Sequence, residues 1–219
     1  GFAGLVGAGR TETARAVFGA DRRSGGKLLV NGAPVEIHSP ADAVRNGIAY
    51  LSEDRKQYGL LLGLDVETNT SIASMKDFLR GKLFINFQKA CQNAEEKVSE
   101  LDVRTPSVKQ LVRNLSGGNQ QKVVLGKWLT RNCDILIFDE PTRGIDVGAK
   151  AEVHALMSQL AAQGIGIVMI SSEMPEVLQM SDRILIMHEG RVAGILDRTR
   201  ATQEVIMAYA SGEHDAVKV

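Results

Sequence analysis

Gly4-Leu5-Val6-Gly7-Ala8-Gly9-Arg10-Thr11 follows the apolar pair Phe2-Ala3 and precedes a run in which Ala14, Val17 and Phe18 fall at helical spacing. A glycine-rich turn between a strand and a helix lets backbone N–H groups close around phosphate oxygens. The helix behind it adds the positive end of its dipole. This assigns Gly4, Gly7, Ala8, Gly9, Arg10, Thr11 and Glu12 to a nucleotide, with the Thr11 hydroxyl offered to Mg2+. A phosphate loop ordinarily closes on Lys followed by Ser or Thr, and here the pair is Arg10-Thr11. A guanidinium keeps the charge but is a wider, planar fork than an ammonium.

Outward from that loop, strand and helix patterns alternate. Asn31-Gly32 between Lys27–Val30 and Val35–Ile37 predicts a hairpin, because both turn residues tolerate positive φ. Ile48–Leu51 reads as a buried strand, and Asp65–Val112 as mostly helical, with breaks at Gly81 and Pro106. Further on, strands are expected at Ile135–Phe138, Ile165–Ser171, Arg183–Met187 and Val192–Leu196, and helices at Ala149–Ala162 and Thr202–Tyr209. Such alternation argues for an α/β fold. The expected architecture is a P-loop NTPase core whose mostly parallel, helix-covered sheet carries antiparallel hairpin elements and an inserted helical subdomain. The reading treats residues 1–219 as one nucleotide-binding domain with the helical subdomain at about residues 65–125.

Ile135-Leu136-Ile137-Phe138-Asp139-Glu140-Pro141-Thr142 is an apolar strand that ends on two carboxylates. Ligands of open α/β sheets collect at the carboxyl ends of strands. There Asp139 can hold a magnesium shell with Thr11, and Glu140 can polarise an attacking water as general base.

Composition narrows the alternatives. The 219 residues carry 26 bases and 26 acids, so no global field draws the chain to nucleic acid, and only local patches remain available. Cys91 and Cys133 are too few for a disulfide framework or a zinc site. His38, His154, His188 and His214 lack metal-ligand spacing, and no structural metal is expected. No apolar run approaches the roughly 18 residues of a membrane span, and there is no secretory signal pattern. The opening Gly1-Phe2-Ala3-Gly4 reads as the end of a strand, which predicts a piece of a longer polypeptide whose first strands precede it.

Leu115-Ser116-Gly117-Gly118-Asn119-Gln120-Gln121-Lys122 is the most specific stretch. Ser116, Gly117 and Gly118 can present a hydroxyl and unhindered N–H groups at a helix start, a second anion site. A simple kinase has no use for it. It resembles the signature motif of the ABC-transporter ATP-binding domains, with Leu115, Ser116, Gly117, Gly118, Asn119 and Gln120 in the signature positions. Asp139-Glu140-Pro141-Thr142 resembles that family's Walker B segment with its catalytic acid, and Gly144-Ile145-Asp146-Val147 its D-loop. Ser52-Glu53-Asp54-Arg55-Lys56 and Ser171-Ser172-Glu173-Met174-Pro175-Glu176-Val177-Leu178 sharpen the likeness to the C-terminal halves of tandem ATP-binding subunits of bacterial monosaccharide importers, ribose systems foremost.

The resemblance implies ATP and Mg2+ as cofactors and a peripheral place on the cytoplasmic face of the inner membrane. As partners it implies a second nucleotide-binding domain, permease subunits and, indirectly, a periplasmic sugar-binding protein, with no nucleic acid. It further implies that each signature closes over the nucleotide of the opposite domain. Chromosome and repair ATPases of the family insert long heptad coiled coils, and none is present here. Three positions depart from the family pattern: Arg10 replaces the P-loop lysine, Glu53 stands at the Q-loop glutamine, and Ser172 at the switch histidine. The expectation is an ATPase whose own site is degenerate and whose signature completes a partner's site. A regulatory module that binds nucleotide without hydrolysing it, or an importer of a nucleoside or signalling furanone, are the alternatives. Arg55-Lys56 is expected near the permease surface and Trp128 in subdomain packing. The adenine-stacking aromatic is expected before Gly1.

Overall fold

The computed structural model describes residues 1–81 and 83–213, so His214 lies outside the described residues. The chain divides into two compact units, residues 1–50, 134–141 and 161–219, and residues 51–133 and 142–160.

Among the described residues, the first unit is built on a six-stranded sheet in the order β10-β9-β1-β8-β7-β4. Its strands are β1 (Phe2–Gly4), β4 (Ile48–Leu51, whose last residue opens the second unit), β7 (Ile135–Asp139), β8 (Gly166–Ile170), β9 (Arg183–His188) and β10 (Arg191–Asp197). β1 runs parallel to β8 and β9, and β7 parallel to β8; β10 returns antiparallel on β9. The parallel strands need crossovers of helical length. Helices α1 (Arg10–Phe18) and α7 (Met174–Met180) occupy two of them, and α8 (Gln203–Ala210) closes the unit. Leu136, Ile137, Phe138, Ile170, Ile184 and Ile186 are buried, the near-continuous apolar runs of strands covered on both faces.

A small hairpin stands beside this sheet, β2 (Leu28–Val30) with β3 (Ala33–Val35). Asn31 and Gly32 have φ of 51° and 79°, the two-residue turn whose twist suits a hairpin. That tight turn pairs Val30 with Ala33, so the second strand lies two residues earlier than the sequence suggests. Helix α2 (Pro40–Arg45) is absent from the sequence reading, although its start signal is present. Ser39 accepts a hydrogen bond from the Asp42 N–H, and Pro40 takes the first helical position.

The second unit is largely helical, with α3 (Val66–Ser71), a 3₁₀ stretch Ile72–Phe78, α4 (Phe87–Glu100), α5 (Gly117–Thr130) and most of α6 (Val147–Ala162). Val66, Phe78, Ala94, Val112, Val123, Val124 and Met157 are buried in it. The helical run is interrupted at Gly81, as expected, and what interrupts it is a small hairpin. Leu79–Arg80 (β5) and Phe84–Ile85 (β6) pair antiparallel around this glycine, and its φ of 62° belongs to the turn. The alternation needed to announce that hairpin is only two residues long on each side.

α6 begins at Val147, before the expected Ala149, because Asp146 Oδ1 accepts the Ala149 N–H at 2.9 Å. Among the described residues no helix is long and apolar enough to cross a membrane.

Candidate functional site

The first unit brings the phosphate loop, the acidic strand end and the segment after β8 together. Gly4 has φ of 152°, and a Cβ there would lie 2.6 Å from the Met187 carbonyl oxygen. Only glycine lets β1 turn into the loop so close to β9. Gly9 starts α1 in the left-handed region, φ 93°, which leaves the first N–H groups of the helix uncapped by any side chain. Uncapped N–H groups at a helix start suit an anion. Ala8 is buried, whereas Glu12 is exposed in the first turn, so Glu12 can serve a phosphate only through its backbone.

Asp139 is the hub of the acidic end. It is 1% exposed; Thr11 Oγ1 donates to its Oδ1 at 3.0 Å and Tyr50 Oη to its Oδ2 at 2.5 Å. Burial pushes its carboxyl above the ordinary range, against the pull of those two hydrogen bonds and of Arg10. The Tyr50 phenol is likewise pushed up, by burial first and by the adjoining carboxylate second. A buried carboxylate beside a hydroxyl is a hard-oxygen pair that fits Mg2+, which keeps several waters and takes the rest of its shell from phosphate oxygens. Tyr50 was missed in the sequence; a lone phenol inside the apolar strand Ile48–Leu51 is the signal that marks it.

Glu140 follows directly, and its backbone is left-handed at φ 48°, a conformation that costs a non-glycine residue about 1 kcal/mol or more. Its N–H still reaches the Ile170 carbonyl at 2.9 Å. Glu140 Oε2 accepts from Ser172 Oγ at 2.9 Å, and Oε1 lies 3.9 Å from Arg10 Nη2. The other Arg10 nitrogen donates to the Ser171 carbonyl at 2.6 Å. The Arg10 side chain is therefore spent on protein acceptors, and Arg10 and Ser172 both face the Glu140 carboxylate.

The second unit holds Glu53, Asp146 and Leu115–Gln120. Ser116 caps α5; its Oγ accepts from Asn119 N at 3.4 Å and Nδ2 at 2.9 Å. Both bonds use oxygen lone pairs, which leaves the hydroxyl proton for an acceptor beyond the helix. Asn119 Oδ1 takes the Arg104 N–H, and Gln120 Nε2 bonds the carbonyls of Val112 and Leu115, so the turn before α5 is braced from inside. Lys122 is buried on Glu152 at 2.8 Å and on the Asp102 carbonyl at 2.8 Å. Asp146 caps α6.

Glu53 ion-pairs with Arg143, which supplies a local counter-charge that the sequence reading did not weigh. Arg55 donates to the Arg143 carbonyl at 3.1 Å, and a Cβ on Gly117 would come within 2.7 Å of its Nη2. Within its own unit Arg55 packs against the start of α5, with its Nε enclosed. Lys56 is exposed. Trp128 is 9% exposed, in keeping with packing. Cys91 and Cys133 are not joined in a disulfide, and the described residues contain no cluster of His, Cys, Asp or Glu fit for a metal ion.

Comparison with known proteins identifies the family and the fold. The family model described as ABC transporter matches residues 1–143. A Burkholderia lata protein named as a ribose/galactose/methyl galactoside import ATP-binding protein is 59% identical over 99% of this chain, which spans 42% of that protein. An Agrobacterium fabrum protein of like name is 54% identical over 97% of this chain, again 42% of its own length. The chain thus spans less than half of the curated relatives it matches. Among solved structures, an ATP-binding cassette of an ABC transporter superposes with a TM-score of 0.80 at 18% identity, covering 97% of this chain and 86% of that one. A nucleotide-free cassette gives 0.75 at 20% identity, covering 90% and 79%. These two likenesses establish the P-loop NTPase cassette fold.

Proposed function

This chain is an ATP-binding domain that belongs to the ABC transporter family, and from that premise we propose that it energises import of a ribose- or galactose-like monosaccharide. It does so as one half of a tandem subunit, on the cytoplasmic face of a bacterial inner membrane. The names of the relatives support the cargo class. The second nucleotide-binding domain, the permease and a periplasmic sugar-binding protein are the partners this reading requires.

In this reading the N–H groups of Gly9, Arg10 and Thr11, which no side chain caps, cradle the β- and γ-phosphates of ATP, while Ala8 N–H holds the loop closed on the Leu5 carbonyl. Mg2+, when bound, neutralises charge on those phosphates. Thr11 and Asp139 would hold it, and Tyr50 fixes the carboxylate that does so. Glu140 orients the attacking water and accepts its proton. Ser116 and the first N–H groups of α5 serve the nucleotide of the opposite domain.

The reading goes further at this domain's own pocket. The Arg10 guanidinium sits on the Ser171 carbonyl and beside Glu140, and this observation carries the proposal that the pocket binds ATP but hydrolyses it slowly. The general base is countered by a cation, and Ser172 cannot carry the proton that an imidazole would. The same pairing favours, as a second reading, a purely regulatory nucleotide site.

The test is trapping of radiolabelled ATP together with turnover of the chain. Bound nucleotide with slow turnover is expected. Turnover comparable to a full ABC ATPase, abolished by Glu140→Gln, would overturn the degenerate-site reading, and no turnover at all would favour the regulatory one. Loss of labelled-ribose uptake on deleting the full gene checks the cargo class.

A further inference from the structure

The hairpin β5–β6 and the start of α4 leave an unusual set of side chains in water. Leu83 is 82% exposed, Phe84 73%, Phe87 67% and Ile85 40%. Single apolar residues on a surface need no explanation, but four within five consecutive positions do.

The hairpin is not a loosely held loop. Phe78 is buried at its base, the Asn86 N–H donates to the Phe78 carbonyl at 2.7 Å, and Asn86 caps α4 through the Lys89 N–H. Lys89 Nζ in turn holds the Asp77 carbonyl at 2.8 Å. The apolar tip is therefore presented from a braced root.

Charge identifies what the tip suits. The whole chain has a formal net charge of zero, yet residues 76–92 contain Lys76, Arg80, Lys82 and Lys89 against Asp77 alone, four minus one, a net of +3. Asp77 is itself paired with Arg131 at 3.6 Å, and Lys76, Arg80 and Lys89 are exposed. Acidic side chains resume on α4 only at Glu95 and Glu96, about two turns beyond Phe87. Aromatic and aliphatic side chains at a tip, with cations behind them, match a bilayer of anionic lipid. The rings and aliphatic chains enter the headgroup boundary, and the cations meet the negative surface.

We propose that the hairpin Leu79–Phe87 is a direct contact with anionic membrane lipid, supplementary to any protein partner. It rests on the proposed placement of this domain beside a membrane and adds a lipid-facing element to it. Charge favours lipid over a protein groove: the exposed apolar residues are flanked by the exposed cations Lys76, Arg80 and Lys89, and the one acid among them, Asp77, is held by Arg131.

The test is sedimentation of the full-length polypeptide with vesicles of phosphatidylcholine alone and of phosphatidylcholine mixed with phosphatidylglycerol, with ATP affinity measured in parallel. Binding is expected on the mixed vesicles, weaker in high salt. It should fall about tenfold or more in Leu83→Ser combined with Phe84→Ser, and several-fold in Arg80→Glu. ATP affinity should not move in either variant. No binding to anionic vesicles, equal binding to neutral ones, or undiminished binding by the serine variant each overturns the proposal. If vesicles bind only when the permease is reconstituted in them, the hairpin is a protein contact and the lipid proposal fails. Loss of ATP binding by the unmodified polypeptide would instead overturn the reading of function, so the two failures are told apart.

Discussion

Arg10 and Glu140 face each other across 3.9 Å, with side chains 9% and 11% exposed. The cation that ends the phosphate loop and the carboxylate that follows the acidic strand thus form an ion pair. Arg10 also holds the Ser171 carbonyl, and Ser172 holds the second oxygen of Glu140. Arg10, Ser172 and Glu140 thus make one connected polar set.

Arg10→Lys should separate the roles. Lysine has one nitrogen where arginine uses two, so either the Ser171 carbonyl or Glu140 loses its partner, costing about 1–2 kcal/mol of stability. In exchange, a compact ammonium becomes available to the phosphates and Glu140 is less fully countered. ATP turnover should rise about tenfold or more while the urea midpoint falls. A fall in both would show that Arg10 itself supports the chemistry.

Tyr50→Phe removes one of the two hydroxyl donors to Asp139. Burial already lifts this carboxyl above its ordinary 3.8. A raised folded pKa means that stability falls as pH climbs from the unfolded value through the folded one, because the native state then carries a poorly solvated charge. Losing the phenol raises the folded value further. The variant should therefore lose about 1–3 kcal/mol at pH 7 and much less near pH 4. Urea unfolding at the two pH values reads this directly, and an equal loss at both would mean that the hydrogen bond does not serve the ionised form.

Gly117→Ala should act through Arg55. A new Cβ would stand 2.7 Å from Arg55 Nη2 and 3.2 Å from the Gly144 carbonyl, and the guanidinium cannot simply swing away while it holds Arg143. A loss of about 1–2 kcal/mol is expected. In an Arg55→Ala background the same substitution should cost about half as much or less, since only the milder contacts with the Gly144 carbonyl at 3.2 Å and Ile145 Cγ2 at 3.3 Å remain. A double-mutant cycle by thermal unfolding measures the coupling.

Much of this was legible in the sequence because it rests on local chemistry. The turn at Asn31-Gly32, the strand ending on Asp139-Glu140 and the phosphate loop each combine a strong periodicity with residues that tolerate few other conformations. What was not legible depends on contacts distant in sequence. Tyr50 reaches Asp139 only because β4 lies beside β7, and Glu53 meets Arg143 only once the segments after those two strands converge. That Arg55 packs on the start of α5 shows only once Gly117 is seen against its guanidinium. The hairpin at Leu79–Ile85 was lost for a different reason, since two-residue strands carry no period.

Lys127 offers a pH test that depends on none of the functional assignments. It lies on α5, its Nζ donates to the Gly59 carbonyl at 2.7 Å, and it sits 4.6 Å from the centre of the Trp128 ring. Burial lowers its pKa from 10.5 to about 8. With the folded value below the unfolded one, the native state carries a penalty that is fully present below about pH 8 and is relieved as pH rises toward 10.5. The gap between those values corresponds to roughly 3 kcal/mol. Lys127→Met abolishes that titration but leaves the Gly59 carbonyl without its donor, which costs about 1–3 kcal/mol. The two effects oppose each other at pH 7, so the variant should differ little from the parent there. Between pH 8 and 10 the parent should gain on the variant by about 2 kcal/mol or more. Urea midpoints across that range, taken for both proteins, decide it: parallel curves would mean that Lys127 titrates normally and that its bond to Gly59 fully offsets burial.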